Sequence, residues 1–142
     1  MSDKLNEGST SIPDYKVEIR FADIDAMGHV NNAVYFTYCE QARIYFFAHA
    51  LNRSWDWRKL GILVAHNEID YYKPILLQDQ INVEVSCLAI GTKSFTLGYK
   101  FFRGEELCSK GASVLVCYSH ELKQTQQIPP EWMAMLNNYI EI

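Results

Sequence analysis

The sequence has no basic run: 13 Lys and Arg stand against 17 Asp and Glu, a formal net charge of −4 over 142 residues. The electrostatic footprint of a nucleic-acid binder is therefore missing. A long apolar run is missing too. The most apolar stretch, Ala33 to Leu51, is interrupted by Glu40, Arg43 and His49 and never approaches the roughly 18 to 20 uninterrupted apolar residues of a membrane span. Neither nucleic acid nor a membrane is expected as a partner. Cysteine is sparse and scattered: Cys39, Cys87, Cys108 and Cys117 form no C-x-x-C pair and no cluster with histidine. That spacing excludes a zinc set and a compact disulfide framework, leaving free buried thiols as the expectation. Residues Met1 to Tyr15 hold no apolar segment of the secretory type, so a cytoplasmic location is expected. The chain also lacks G-x-S-x-G, H-E-x-x-H, G-x-x-x-x-G-K-[ST] and G-x-G-x-x-G, which removes the common serine hydrolase, zinc protease and nucleotide-binding templates.

Hydrophobic residues make up 49% and charged residues 21%, the composition of a globular domain. The length suits one domain, placed at residues 15–142 behind a loose polar leader, residues 1–14. With 9 Tyr, 7 Phe and 3 Trp, its core is expected to be aromatic. Val17, Ile19 and Phe21 alternate with Lys16, Glu18 and Arg20, which predicts a half-buried strand over Tyr15 to Phe21. A polar connector, DIDAMGHVNN, leads into a long helix, Ala33 to Leu51. Its apolar residues lie nearly all round, so it is expected to be central and covered on most of its circumference. A short helix is predicted between Asn52 and Gly61. Strands follow over Asn67 to Tyr72, Ile81 to Cys87, Phe95 to Phe101 and Cys108 to Tyr118, with links short enough to favour antiparallel neighbours. Pro129-Pro130 opens a terminal helix, Glu131 to Tyr139.

One segment concentrates chemistry. Asp23-Ile24-Asp25-Ala26-Met27-Gly28-His29-Val30-Asn31-Asn32 gathers two carboxylates, an imidazole, two amides and a glycine ahead of the long helix. A calcium loop fails, because its fifth and twelfth positions would be Met27 and Val34 where oxygen ligands are required. Two readings stay open. Asp and Asn could cap the helix by accepting its unpaired N–H groups. Alternatively, the helix N-terminus could polarise a carbonyl while a carboxylate just before it attacks or activates water, which is acyl-transfer chemistry.

The run from Arg20 to Arg43, with D-x-D-x-x-G-H-V-N-N-x-x-Y inside it, resembles the opening of the acyl-CoA thioesterases related to 4-hydroxybenzoyl-CoA thioesterase. E-I-D-Y-Y-K-P at 68 to 74 and K-S-F at 93 to 95 extend the likeness, and G-H-V-N-N is also similar to acyl-carrier-protein thioesterases. The resemblance implies an α+β hotdog fold, an antiparallel sheet wrapped around one long helix. It implies hydrolysis of an acyl-CoA thioester with no metal or redox cofactor.

It implies roles as well: Asp25 as catalytic carboxylate, Asn32 as the source of the backbone N–H that polarises the thioester carbonyl, Gly28 as the residue that lets the loop pass close by, and His29 as a further active-site residue. Some relatives have histidine where Asn32 stands, so an Asp-His mechanism is not implied. Asp23 is expected to have a local structural role, and Glu40 and Arg43 to form a structural ion pair. Asn31 and Tyr35 are candidates for substrate contact. Thr92, Lys93 and Ser94 fall where relatives contact the CoA phosphates, with Arg103 or a neighbouring subunit as further sources of positive charge. Exposed sheet edges and an incompletely covered helix terminus point to a homodimer or homotetramer with acyl sites at the interface. The rival functions are a non-catalytic acyl-CoA binding module and an acyl-carrier-protein thioesterase.

Overall fold

The structure, a computed structural model, describes residues 12–52 and 55–141. Of the expected leader, residues 1–11 lie outside the described residues, and 12–14 have no regular secondary structure. Six strands, β1 (Tyr15–Lys16), β2 (Gly61–Tyr71), β3 (Asn82–Ile90), β4 (Ser94–Arg103), β5 (Glu106–Ser119) and β6 (Gln124–Thr125), accompany two helices, α1 (Val34–Leu51) and α2 (Pro130–Asn137). The sheet is antiparallel throughout, in the order β1-β3-β4-β5-β2, with β6 added to the end of β5. It curls around α1 in the hotdog arrangement that the sequence implied.

The core forms where α1 meets the inner face of the sheet. Tyr35, Tyr38, Cys39, Ala42 and Phe46 recur at helical spacing and are buried with Phe47. They face Val83 and Cys87 of β3, Phe95, Leu97, Tyr99 and Phe101 of β4, and Leu115 and Cys117 of β5, all buried. Each large side chain removed from water in this way contributes roughly 1.5–3 kcal/mol. Trp132 of α2 closes one end by packing on Phe47, with ring centroids 4.9 Å apart. All four cysteines are free and buried, as expected.

Five expectations need correction. The strand predicted over Tyr15 to Phe21 pairs with β3 only at Tyr15 and Lys16, with one further bond from the Val17 N–H to Ile81 O at 2.9 Å. Beyond Val17 no pairing with β3 continues, and the Asp23 carboxylate takes the Arg20 backbone N–H at 3.0 Å, which competes with any return to the ladder. Phe21–Asp23 then form a 3-10 turn, leaving Phe21 82% exposed. Second, α1 is covered on one stripe and not on most of its circumference. The sheet reaches one side only, so Thr37, Glu40, Gln41, Ile44 and His49 are exposed.

Third, the described residues before Gly61 hold turns and no helix. The Asp56 carbonyl takes the N–H groups of Lys59 and Leu60, and its side chain takes that of Arg58 at 3.1 Å. This local capture by Asp starts a turn and ends it. Fourth, β2 begins at Gly61, six residues before the predicted Asn67. The apolar run Ile62 to Ala65 does not alternate, yet it pairs with β5 until the register shifts between Val64 and His66. Fifth, the terminal helix stops two residues early, at Asn137. Tyr139 and Glu141 instead bond the backbone of Cys87 at 2.9 Å each and cover that edge of β3. At the opposite end of the sheet, the outer edge of β2 has no strand partner among the described residues.

Candidate active site

The segment Ile24–Asn32 is a closed loop whose neck is fixed by main-chain bonds. Ile24 and Val30 form an isolated bridge, the Asn31 N–H donates to Asp23 O at 2.9 Å, and the Val30 N–H donates to Ile75 O at 2.8 Å. Within the loop, the Asp25 N–H donates to His29 O and the Gly28 N–H to Asp25 O, both at 2.9 Å. Gly28 sits at φ +82°, the left-handed region that a side chain disfavours, so glycine is what permits the reversal. Asp25 Oδ1 accepts the Met27 N–H at 2.9 Å, which fixes the carboxylate's orientation.

The loop delivers the chain to the N-terminus of α1. Asn31 caps it: its Oδ1 accepts the Ala33 N–H at 2.9 Å, and its carbonyl accepts the Val34 N–H at 2.9 Å. Asn32 lies just before these two satisfied donors. Among the described residues no acceptor takes the Asn32 N–H. Its carbonyl accepts the Tyr71 hydroxyl at 2.7 Å. An unpaired N–H at a helix N-terminus is the donor that a developing oxyanion needs, and the helix dipole adds to it.

A cleft of about 360 Å³ opens over this terminus, with Asp25, His29, Asn32 and Tyr35 on its wall. Four of the sequence candidates are thus brought together. Gly28 and Asn31 shape the loop without lining the cleft. The rest of the wall is Met27, Val30, Tyr71, Tyr72, Lys73 and Pro74. The tyrosines and Lys73 were not among the candidates, although the Y-Y-K-P run that closes β2 contains them. Tyr35 and Tyr71 meet edge to face with centroids 4.9 Å apart. Burial pushes the Tyr35 phenol up to about 12, so it stays protonated.

Residues 19–136 match the Thioesterase-like superfamily. The chain belongs to that superfamily. The protein YsmA of Bacillus subtilis (strain 168) is 34% identical to it over 110 residues, covering 75% of this chain and 72% of that one. A 1,4-dihydroxy-2-naphthoyl-CoA hydrolase of Synechococcus elongatus (strain ATCC 33912 / PCC 7942 / FACHB-805) is 27% identical over 131 residues, covering 86% and 96%. Among solved structures, a thioesterase from Thermus thermophilus complexed with coenzyme A and Zn is similar at 33% identity, covering 88% and 91% with a TM-score of 0.76. By class this member of the Thioesterase-like superfamily is a thioester hydrolase.

Not every sequence candidate lies in this thioesterase's cleft. Ser94 pairs with Val116 near one end of β5, whereas Tyr71 pairs with Ser109 seven residues away. At the usual strand rise that is roughly 23 Å, so Thr92, Lys93 and Ser94 stand at the opposite end of the sheet from Asp25. Arg103 is committed as well, to Asp79 at 2.6 Å, Glu106 at 2.9 Å and the Pro74 carbonyl at 3.1 Å. It shapes the 73–79 connector and has little left for a phosphate. The expected Glu40–Arg43 ion pair does not form among the described residues. Arg43 is half-buried and turns inward to the Tyr99 hydroxyl at 3.4 Å, while Glu40 stays exposed.

The remaining alternatives for chemistry are weak. Burial pushes the Cys39 and Cys117 thiols up to about 12 and about 11, which removes them as thiolate nucleophiles. Among the described residues no group of three or more His, Cys, Asp or Glu side chains could hold a metal ion. No helix among them is long and apolar enough to cross a membrane.

Proposed function

We propose that this thioesterase hydrolyses an acyl-CoA thioester to a free carboxylic acid and the CoA thiol at the cleft over the α1 N-terminus. The observation that carries the reading is the pairing, on one cleft, of the Asp25 carboxylate with the unpaired Asn32 N–H. Asp25 is the nucleophile or the general base; the Asn32 N–H and the helix dipole receive the charge that develops on the thioester oxygen. In the general-base route Asp25 takes a proton as water attacks, the tetrahedral intermediate collapses with rupture of the C–S bond, and the proton passes to the departing thiolate. In the nucleophilic route a mixed anhydride forms first and water then cleaves it. In this reading His29, on the cleft wall, contacts the acyl or pantetheine portion.

The acyl group we assign is aromatic. Three tyrosines, Tyr35, Tyr71 and Tyr72, wall the cleft, and several similar proteins are named 1,4-dihydroxy-2-naphthoyl-CoA hydrolases. CoA is the carrier, and the cytoplasm the compartment, in keeping with four free thiols.

A homodimer completes the site in this reading. The unpaired outer edge of β2 exposes Leu63 and Val64, an arrangement that invites another strand. A two-fold antiparallel pairing of β2 with its copy sets the Gly61 end of one beside the Tyr71 end of the other. That brings Thr92, Lys93 and Ser94 of the partner subunit to the end of the sheet that holds Asp25.

A thiol-release assay over aromatic, short-chain and long-chain acyl-CoAs, with acyl carrier protein thioesters alongside, tests the function. Fastest release from an aromatic acyl-CoA is expected. Preference for the carrier protein would move the assignment to that substrate class, and no release from any thioester would leave a binding module. Light scattering tests the dimer, and a monomer at micromolar concentration would contradict it.

A further inference from the structure

Asp23 sits two residues before the proposed catalytic carboxylate and is 1% exposed. Its side chain is saturated. Oδ2 accepts the Tyr38 hydroxyl at 2.6 Å and the Arg20 backbone N–H at 3.0 Å, while Oδ1 accepts Arg20 Nη2 at 2.9 Å and Nε at 3.2 Å. Tyr38 lies one turn into α1, between Tyr35 and Ala42 on the buried stripe. The main chain of the same residue holds the loop, because Asp23 O accepts the Asn31 N–H at 2.9 Å and the Ile24–Val30 bridge follows directly. One residue therefore ties the neck of the 24–32 loop to the helix whose N-terminus that loop must meet.

Resting on the proposed reading of the site, we propose that Asp23, through Tyr38 and Arg20, is the positioning residue that sets Asp25 in register with the Asn32 N–H. A local structural role would concern stability alone. A positioning role concerns the distance between two groups that must act on one carbonyl carbon and its oxygen, where misplacement by about 1 Å costs rate out of proportion to any loss of stability. Asp23 is buried and does not line the cleft, so binding is spared.

Asp23→Asn keeps the shape and the bonds from Tyr38 or the Arg20 N–H, but loses the charge that draws in the guanidinium. Tyr38→Phe removes a single hydroxyl and keeps the core ring. Both full-length variants are assayed with the acyl-CoA that the wild type turns over fastest, beside Asp25→Asn. The expected result is a kcat lowered on the order of 10-fold in Asp23→Asn and less in Tyr38→Phe, with KM within about two-fold. Amide hydrogen exchange at Val30 and Asn31 should accelerate in both while β4 and β5 remain protected. Wild-type kcat in both folded variants would overturn the proposal, as would a raised KM at unchanged kcat. Should Asp23→Asn fail to fold, Tyr38→Phe decides alone by the same criteria. Full turnover by Asp25→Asn would instead refute the site reading itself, which separates the two failures.

Discussion

The Tyr71 hydroxyl, at the end of β2, donates to the Asn32 carbonyl at the start of α1 across 2.7 Å. This bond joins the edge strand to the turn that presents the Asn32 N–H. Tyr71 is also an aromatic wall of the cleft, edge-on to Tyr35. Tyr71→Phe keeps the ring and deletes the bond, and a hydrogen bond of this kind is worth about 1 kcal/mol. Applied to the transition state, that is a rate loss of about five-fold. Steady-state kinetics on the folded variant check it: a kcat equal to wild type would show that the turn holds its place without β2.

Stability should carry a mark of Asp23 at low pH. Burial alone would push this carboxyl up, but the Tyr38 hydroxyl, the Arg20 backbone N–H and the Arg20 guanidinium outweigh it and hold the carboxyl below the usual carboxylate range. A group whose value is depressed on folding contributes stability in full above its unfolded value, and that contribution is lost as pH falls through the folded one. Thermal melts from about pH 6 to about pH 2 should show Asp23→Asn less stable than wild type at the upper end, with the gap narrowing on acidification. Curves that stay parallel would mean that the charge contributes nothing.

The thiols give a check on packing. All four are buried, and burial raises each above the ordinary thiol value. A thiol reagent at neutral pH should leave the native protein unmodified and label four sites after denaturation. Rapid labelling of the native protein would contradict the burial of the core.

The order of strands and long helix and the loop were legible in the sequence because both rest on local signals, while the hotdog arrangement was implied by the family resemblance of Arg20 to Arg43. Alternation in Val83, Val85 and Cys87 and in Phe95 to Phe101 needs only the period of a strand, and Asp25, Gly28 and Asn32 lie within one short segment. What escaped depends on tertiary competition. The early exit of β1 is maintained by Asp23 capturing Arg20. The apolar run Ile62 to Ala65 is a strand because β5 lies beside it, and no alternation marks it. Tyr71, Tyr72 and Lys73 reach the cleft only because β2 ends opposite the helix, a pairing with no trace in spacing. Glu40 and Arg43 stand at ion-pair spacing, yet the buried Tyr99 hydroxyl draws the arginine away.

The proposed chemistry centres on Asp25, and Asp25→Asn tests it most directly. The substitution keeps the carboxylate's shape and its acceptor for the Met27 N–H, while removing the negative charge proposed to attack the thioester carbon or to deprotonate water. Turnover of the best acyl-CoA should fall on the order of 10² or more, the usual size of a lost acid, base or nucleophile contribution, with substrate binding and the thermal midpoint preserved. A single turnover of wild type in ¹⁸O-water then tests the nucleophilic route, since label recovered in the Asp25 carboxylate marks the nucleophile. Near-full turnover by a folded Asp25→Asn protein would contradict the account, leaving the 23–32 segment as a helix cap alone.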